Sequence, residues 1–368
     1  MNPHGLIAQR FPLVARFRPA CLPLPERVRA LVDLAGTAAE KADQGLASAV
    51  FNQAALIASD IGLPDLARTM CHRHAAAYLH ACPLPAMSAI RGLEPLVNLA
   101  RLQIRGGRAD DGRHRLLALY ETVAAGGTAT FEGIVLPADL TPSTEARQEV
   151  RAWLWRVLLA DGTRTLTTNG RWDEALAHIE QHRGVGTRML DGRQVAVVAA
   201  LTGGDTERAA ELLTSTAPGE PWEQAVTASL MVLCHRDPGQ NTDDDLADLV
   251  ETYLNHEKKP GLTVFDVRLG LTALDAVGSS DHPGARHLGD DVIRRAVEAR
   301  DGYAAREILS DPLLTTFAAN HQAQDCRDLV RTCALGVRDF PDDLRRDLSI
   351  VLDVSEAVIA DSLNALVI

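Results

Sequence analysis

The feature that most constrains this chain is a turn that it repeats. Four glycines are each followed five residues later by a small residue and four residues after that by an apolar one. The sets are Gly62-Ala67-Cys71, Gly107-Gly112-Leu116, Gly170-Ala175-Ile179 and Gly204-Ala209-Leu213. A glycine supplies the positive-φ cap that ends one helix. The small residue lets the next helix lie close against the first, and the apolar residue one turn on enters the groove between them. The pattern therefore encodes antiparallel helical hairpins joined by tight turns.

The segments between these turns agree. Leu46–Ser59 reads LASAVFNQAALIAS, an apolar face on good helix formers, and it ends at Asp60-Ile61-Gly62-Leu63-Pro64. A second helix, Asp65–Leu79, follows at once. β-Branched alternation is nearly absent. Aromatic residues make up only 4% of the 368 residues, so the core has to be built from Ala, Leu and Val. The exception is Gly126–Ala146, where Thr128–Val135 could form two short strands as a hairpin or flap.

The best single match is Gly170-Arg171-Trp172-Asp173-Glu174-Ala175-Leu176, and Gly170 to Gly204 spans 34 residues. At this point the chain resembles the tetratricopeptide-repeat family over about Leu46–Leu233, a family whose unit is 34 residues of paired helices. The other spacings, 45 and 63 residues, are irregular, and Thr163 and Leu166 stand where the family has its Gly-Tyr pair. The resemblance implies an all-α, right-handed solenoid of about five to seven hairpins with one flap insertion. It also implies a concave groove that binds extended peptides, and so a non-enzymatic adaptor or sensor.

Domain organisation follows from composition. Residues 1–25 carry Arg10, Arg16, Arg18 and five prolines but no acid, and read as a flexible arm. Residues 26–235 hold the hairpins, with the insertion at 126–146. Residues 236–368 form an acidic linker and a helical cap, with helices expected at Thr263–Val277, Gly284–Arg300, Ala304–Leu309, Thr315–Val337 and Asp342–Val367.

Several function classes are excluded by what is missing. The only lysines are Lys41, Lys258 and Lys259, and none follows a glycine, so there is no P-loop. No GxSxG or GxGxxG occurs. A net charge of −12 argues against general nucleic-acid binding. No apolar stretch is long enough to cross a membrane, and the N-terminus lacks a secretory core. The six cysteines show no paired spacing, which fits a reducing cytoplasm.

Candidate sites remain. Cys71, His74, Tyr78 and Cys82 share a helix face, with His72 adjacent. Zinc is conceivable there, but Cys71 and His74 fall at inter-helix packing positions. His178 and His182 are an i, i+4 pair without an evident third ligand. Asp244-Asp245-Leu246-Ala247-Asp248 spells the DDxxD of diphosphate–magnesium sites, yet Asn241-Thr242-Asp243 before it reads as a helix cap. A metal or diphosphate enzyme at His72/His74 or Asp244/Asp245/Asp248 is the alternative function. No cofactor is expected. Trp153 and Trp155 cannot share a helix face, so one should reach the surface or the flap, and Trp155 joins the candidate binding residues.

Counting back from each turn glycine gives the inner-face positions. These are Asn52 and Ser59, then Glu94, Arg101 and Arg105, then Arg164 and Thr168, then Asp191 and Gln194. Arg101, Arg105 and Arg164 are expected to share one surface, with Asn52 and Gln194 at its ends. Three guanidiniums there would clamp an acidic or carboxylate-bearing peptide.

Overall fold

A computed structural model describes residues 1–235, 243–255, 257, 259–278, 283–317 and 319–365, with the side chains of 243–245, 283 and 315–317 left aside. In chain order the helices are α1 (Leu6–Arg10), α2 (Leu24–Lys41), α3 (Gln44–Asp60), α4 (Pro64–Leu79), α5 (Ala86–Arg105) and α6 (Ala109–Ala125). A hairpin, β1 (Ala129–Phe131) and β2 (Ile134–Leu136), follows. Next, α7 (Thr144–Val157) runs through a π-helical turn, Leu158–Gly162, into α8 (Thr163–Thr167). Then come α9 (Trp172–Gln181), α10 (Asp191–Gly203), α11 (Thr206–Thr214), α12 (Pro221–Cys234), α13 (Asp243–Leu254) and α14 (Thr263–Val277). The last are α15 (Pro283–Glu298), α16 (Gly302–Leu309), α17 (Pro312–Phe317), α18 (Asn320–Thr332) and α19 (Asp342–Asn364). The protein is all-α apart from that hairpin among the described residues, and consecutive helices pack on one another along most of the chain.

The turn chemistry operates as the sequence dictates. Gly62, Gly107, Gly170 and Gly204 all take positive φ, between 69° and 87°. Ala67, Cys71, Gly112, Leu116, Ala175, Ile179, Ala209 and Leu213 are all buried. Pro64 opens α4 at its first turn, where its missing N–H costs nothing. Asp43 starts α3 by accepting from Gly45 N and Leu46 N. In the hairpin, Ala129, Thr130 and Phe131 pair with Leu136, Val135 and Ile134. Its two-residue turn is Glu132-Gly133, both at positive φ, the geometry that suits a twisted hairpin.

The chain divides into two compact units. Unit 1 comprises Met1–Pro23 and Leu166–Cys333, and unit 2 comprises Leu24–Thr165 and Ala334–Ile368. This replaces the linear division into arm, hairpins and cap. The third expected hairpin is split, because the boundary at Thr165 and Leu166 falls inside α8. The expected flexible arm is part of unit 1, with Ala8, Phe11 and Leu13 in its core. Five prolines and three arginines read as a loose segment, but the arm's apolar residues find partners only in the tertiary fold.

The C-terminal helix also departs from a linear stack. In unit 2, α19 lies against α2, α3 and α4 through Leu348, Val351, Leu352, Ile359 and Leu363. The irregular segment leading to it caps α3. Gly336 N donates to Asp60 O at 2.8 Å and Arg338 N to Ile61 O at 2.6 Å, satisfying carbonyls that the helix end leaves open. The linker residues 237–242, including Asn241 and Thr242, lie outside the described residues, and so do the side chains of Asp243, Asp244 and Asp245.

Candidate functional site

In unit 2 a row of polar side chains runs across α3 and α5. Asn52 Nδ2 donates to Glu94 Oε2 at 2.6 Å, and Asn98 Nδ2 donates to Asn52 Oδ1 at 2.8 Å. Arg101 donates through Nη1 to Asn98 Oδ1 at 3.0 Å and through Nε to Asp161 Oδ2 at 2.9 Å. Arg105 donates to Ser59 Oγ at 2.8 Å and stands 3.9 Å from Asp60. The row exists because Glu94, Asn98, Arg101 and Arg105 recur at three- and four-residue intervals on α5, facing Asn52 and Ser59, two turns apart on α3. Arg101 and Arg105 each keep 44% of their side-chain surface in solvent.

Beneath its inner end the row becomes a sealed relay. Ser48 Oγ donates to Glu94 at 3.3 Å and lies 2.7 Å from His74 Nε2. With the hydroxyl proton on the Glu94 side, His74 donates its Nε2–H to Ser48. Burial pushes the imidazole down to about 3, so it is neutral. Phe51 stacks on it at 4.9 Å and Tyr78 meets it edge-on at 5.7 Å. Burial pushes the Glu94 carboxyl above the usual carboxylate range, opposed by its bonds from Asn52 and Ser48. Ser48 and His74 are 2% and 1% exposed, so no substrate reaches the hydroxyl. The serine is a structural link rather than a nucleophile.

Two of the three expected arginines, Arg101 and Arg105, have oxygen partners within unit 2. Arg101 meets Asp161, and Arg164 lies half-buried on α8 three residues further on. Asp161 sits in the π-helical turn at Leu158–Gly162. That turn carries more residues per turn than an α-helix, so it shifts the facing of Asp161 relative to the regular helix before it. Trp153 packs on the unit 2 core and Trp155, two residues on, is half-buried.

Gln194 departs from the expectation. It is fully buried, and it belongs to unit 1 while Asn52 and the arginines belong to unit 2. What it holds is informative. Its Oε1 accepts from Leu13 N at 2.6 Å and its Nε2 donates to Leu13 O at 2.7 Å. A side-chain amide thus pairs with both main-chain groups of one residue, as a neighbouring β-strand would. Asp191, one turn earlier on α10, receives Arg16 at 2.7 Å. The two positions that register assigned to a peptide-facing helix surface do contact a non-helical segment, and that segment is the chain's own N-terminal arm.

The hairpin carries a further cluster that sequence patterns did not reveal. Glu132 at its tip accepts from Gln103 Nε2 at 2.6 Å and from Arg115, with Arg68 Nε 3.8 Å away. Burial, and secondarily the Glu132 charge, push the Cys71 thiol up to about 12, so it stays protonated and inert. His72 is half-buried beside it on α4. His178 in α9 and His182, the residue that ends it, lie edge to face at 4.8 Å. Among the described residues no three His, Cys, Asp or Glu side chains are grouped to hold a metal ion. Likewise, no helix among them is long and apolar enough to cross a membrane.

Asn98 was within reach of sequence reasoning, since it shares the face of Glu94, Arg101 and Arg105. Asp161 and Glu132 were not, because a π-turn and a hairpin tip bring them into place. No protein-family model matches this chain, and no curated protein or solved structure matches it either.

Proposed function

We propose that the protein is a non-enzymatic adaptor of tetratricopeptide-like solenoid type that binds an extended peptide or protein tail bearing acidic groups. One observation carries this reading: Asn52, Asn98, Arg101 and Arg105 form a hydrogen-bonded polar row on α3 and α5 with both guanidinium side chains 44% open to solvent. There the carboxamides suit a peptide main chain, and the arginines suit carboxylates. Each charge-assisted bond to such a ligand contributes on the order of 1.5–3 kcal/mol. Arg164 and Trp155 belong to this reading only as flanking residues.

The test uses fluorescent peptide pools of acidic, neutral and basic composition, each with free and with amidated C-termini. The full-length protein is expected to retain the acidic pools. Asn98→Ala combined with Arg101→Ala should abolish retention while leaving the melting curve intact, and raised salt should weaken it in part. Retention that survives the double variant, or a preference for basic pools that tracks Asn98 and Arg101, overturns the proposal.

A further inference from the structure

The N-terminal arm is separated in sequence from the rest of unit 1 by all of Leu24–Thr165, and side-chain recognition holds it there. Arg10 inserts between two carboxylates, bonding Asp275 through Nη1 and Asp311 through Nη2, the latter at 2.5 Å. Three residues on, Gln194 grips the main chain of Leu13. Three further on, Arg16 reaches Asp191. Arg18 lies over the Tyr303 ring at 3.8 Å, and Arg18 N donates to Gly261 O at 2.8 Å. The arm contains three arginines and no acid, and the groups that receive Arg10 and Arg16 are all aspartates.

We propose that the face of unit 1 covered by this arm is a receptor for arginine-bearing extended segments. The arm is its resident ligand, and a basic segment of a partner protein is the ligand that replaces it. This inference rests on unit 1 alone and stands whether or not the α3–α5 face binds acidic peptides.

The chemistry sets the specificity. The Asp311 side chain is 1% exposed, so any segment that displaced the arm without a guanidinium would leave a buried carboxylate unpaired. The replacing segment must therefore present an arginine, then main chain with an apolar residue three positions on, then a second basic residue three beyond that. Exchange has a place to begin. Arg16 is 55% exposed and Phe17 is 74% exposed, and an exposed ion pair holds weakly. An incoming segment can take Asp191 first and then advance toward Gln194 and the Asp275–Asp311 pair.

The test uses the full chain carrying Arg16→Ala, which loosens the exposed half of the arm and keeps the Arg10 anchor. The probe is a fluorescein-labelled synthetic peptide of residues 6–20, read by anisotropy. Saturable binding is expected, at least about tenfold tighter than for the same peptide with glutamate at both the Arg10 and Arg16 positions. Adding Asp275→Asn to the protein should weaken the peptide by a similar factor. Bound peptide should also speed tryptic cleavage of the chain's own arm after Arg10, which displacement exposes. If Arg16→Ala does not fold, Phe17→Ala gives the same readings from an exposed position. The absence of saturable binding at millimolar peptide overturns the proposal. Failure of the peptide together with a dimer by light scattering overturns it in favour of arm exchange between two copies of the chain.

Discussion

At the scale of single residues, two positions invert an ordinary rule. Replacing a helical glycine with alanine normally stabilises a helix by about 1 kcal/mol. At Gly112 an added Cβ would fall 2.5 Å from Ile104 Cγ1 and 2.7 Å from the Ala100 carbonyl oxygen. Gly112→Ala is therefore expected to cost about 1–3 kcal/mol, read as a lower urea midpoint. His74 inverts the usual histidine case. It is held neutral down to about 3, below the ordinary value near 6.5, so the unfolded chain binds a proton that the native state refuses. Its contribution is complete above about pH 6.5 and falls by up to about 1.4 kcal/mol per pH unit below that. The stability gap between the native protein and His74→Gln should shrink as pH drops from about 7.5 to 5. A gap that stays constant would show that the imidazole is not the group responsible.

At the scale of elements, the hairpin shows a side chain overriding a backbone preference. Glu132 takes φ +48°, a conformation that favours glycine or asparagine. Its carboxylate is what holds the hairpin, through Gln103, Arg115 and Arg68. Glu132→Gly should thus make the turn easier and the hairpin looser at once. The expected result is faster hydrogen exchange across Ala129–Leu136, equivalent to a loss of about 1–3 kcal/mol. Slower exchange would mean that backbone strain outweighs the ion pairs. The π-turn of Leu158–Gly162 makes the same point about helices. A helix that looks continuous in sequence changes its facing part-way, and it presents Asp161 to Arg101.

At the scale of the molecule, the two units have separate cores and separate reporters. Trp153 and Trp155 lie in unit 2, and Trp172 and Trp222 lie in unit 1. Removing the Arg10 guanidinium leaves Asp311 buried without its ion pair, a loss of about 3–5 kcal/mol. Arg10→Ala should therefore lower the unfolding midpoint when only Trp172 and Trp222 report. It should move the midpoint far less when only Trp153 and Trp155 remain. Equal shifts in both would show that the units unfold as one.

The sequence by itself determined the helices, their turns and the small residues at their crossings. These depend on local φ preferences and on a periodicity of a few residues, both of which a single strand of text carries. The expected Thr263–Val277 helix, the hairpin near Thr128–Val135 and all four positive-φ glycines follow from that. Register marked Asp191 and Gln194 as equivalent helix positions. Only the tertiary structure decided what they contact, where α19 packs, and which carboxylates Arg10 and Arg101 meet. Those pairings join residues far apart in sequence. They are chosen by the free energy of burying charges and apolar faces together, and no local pattern records that choice.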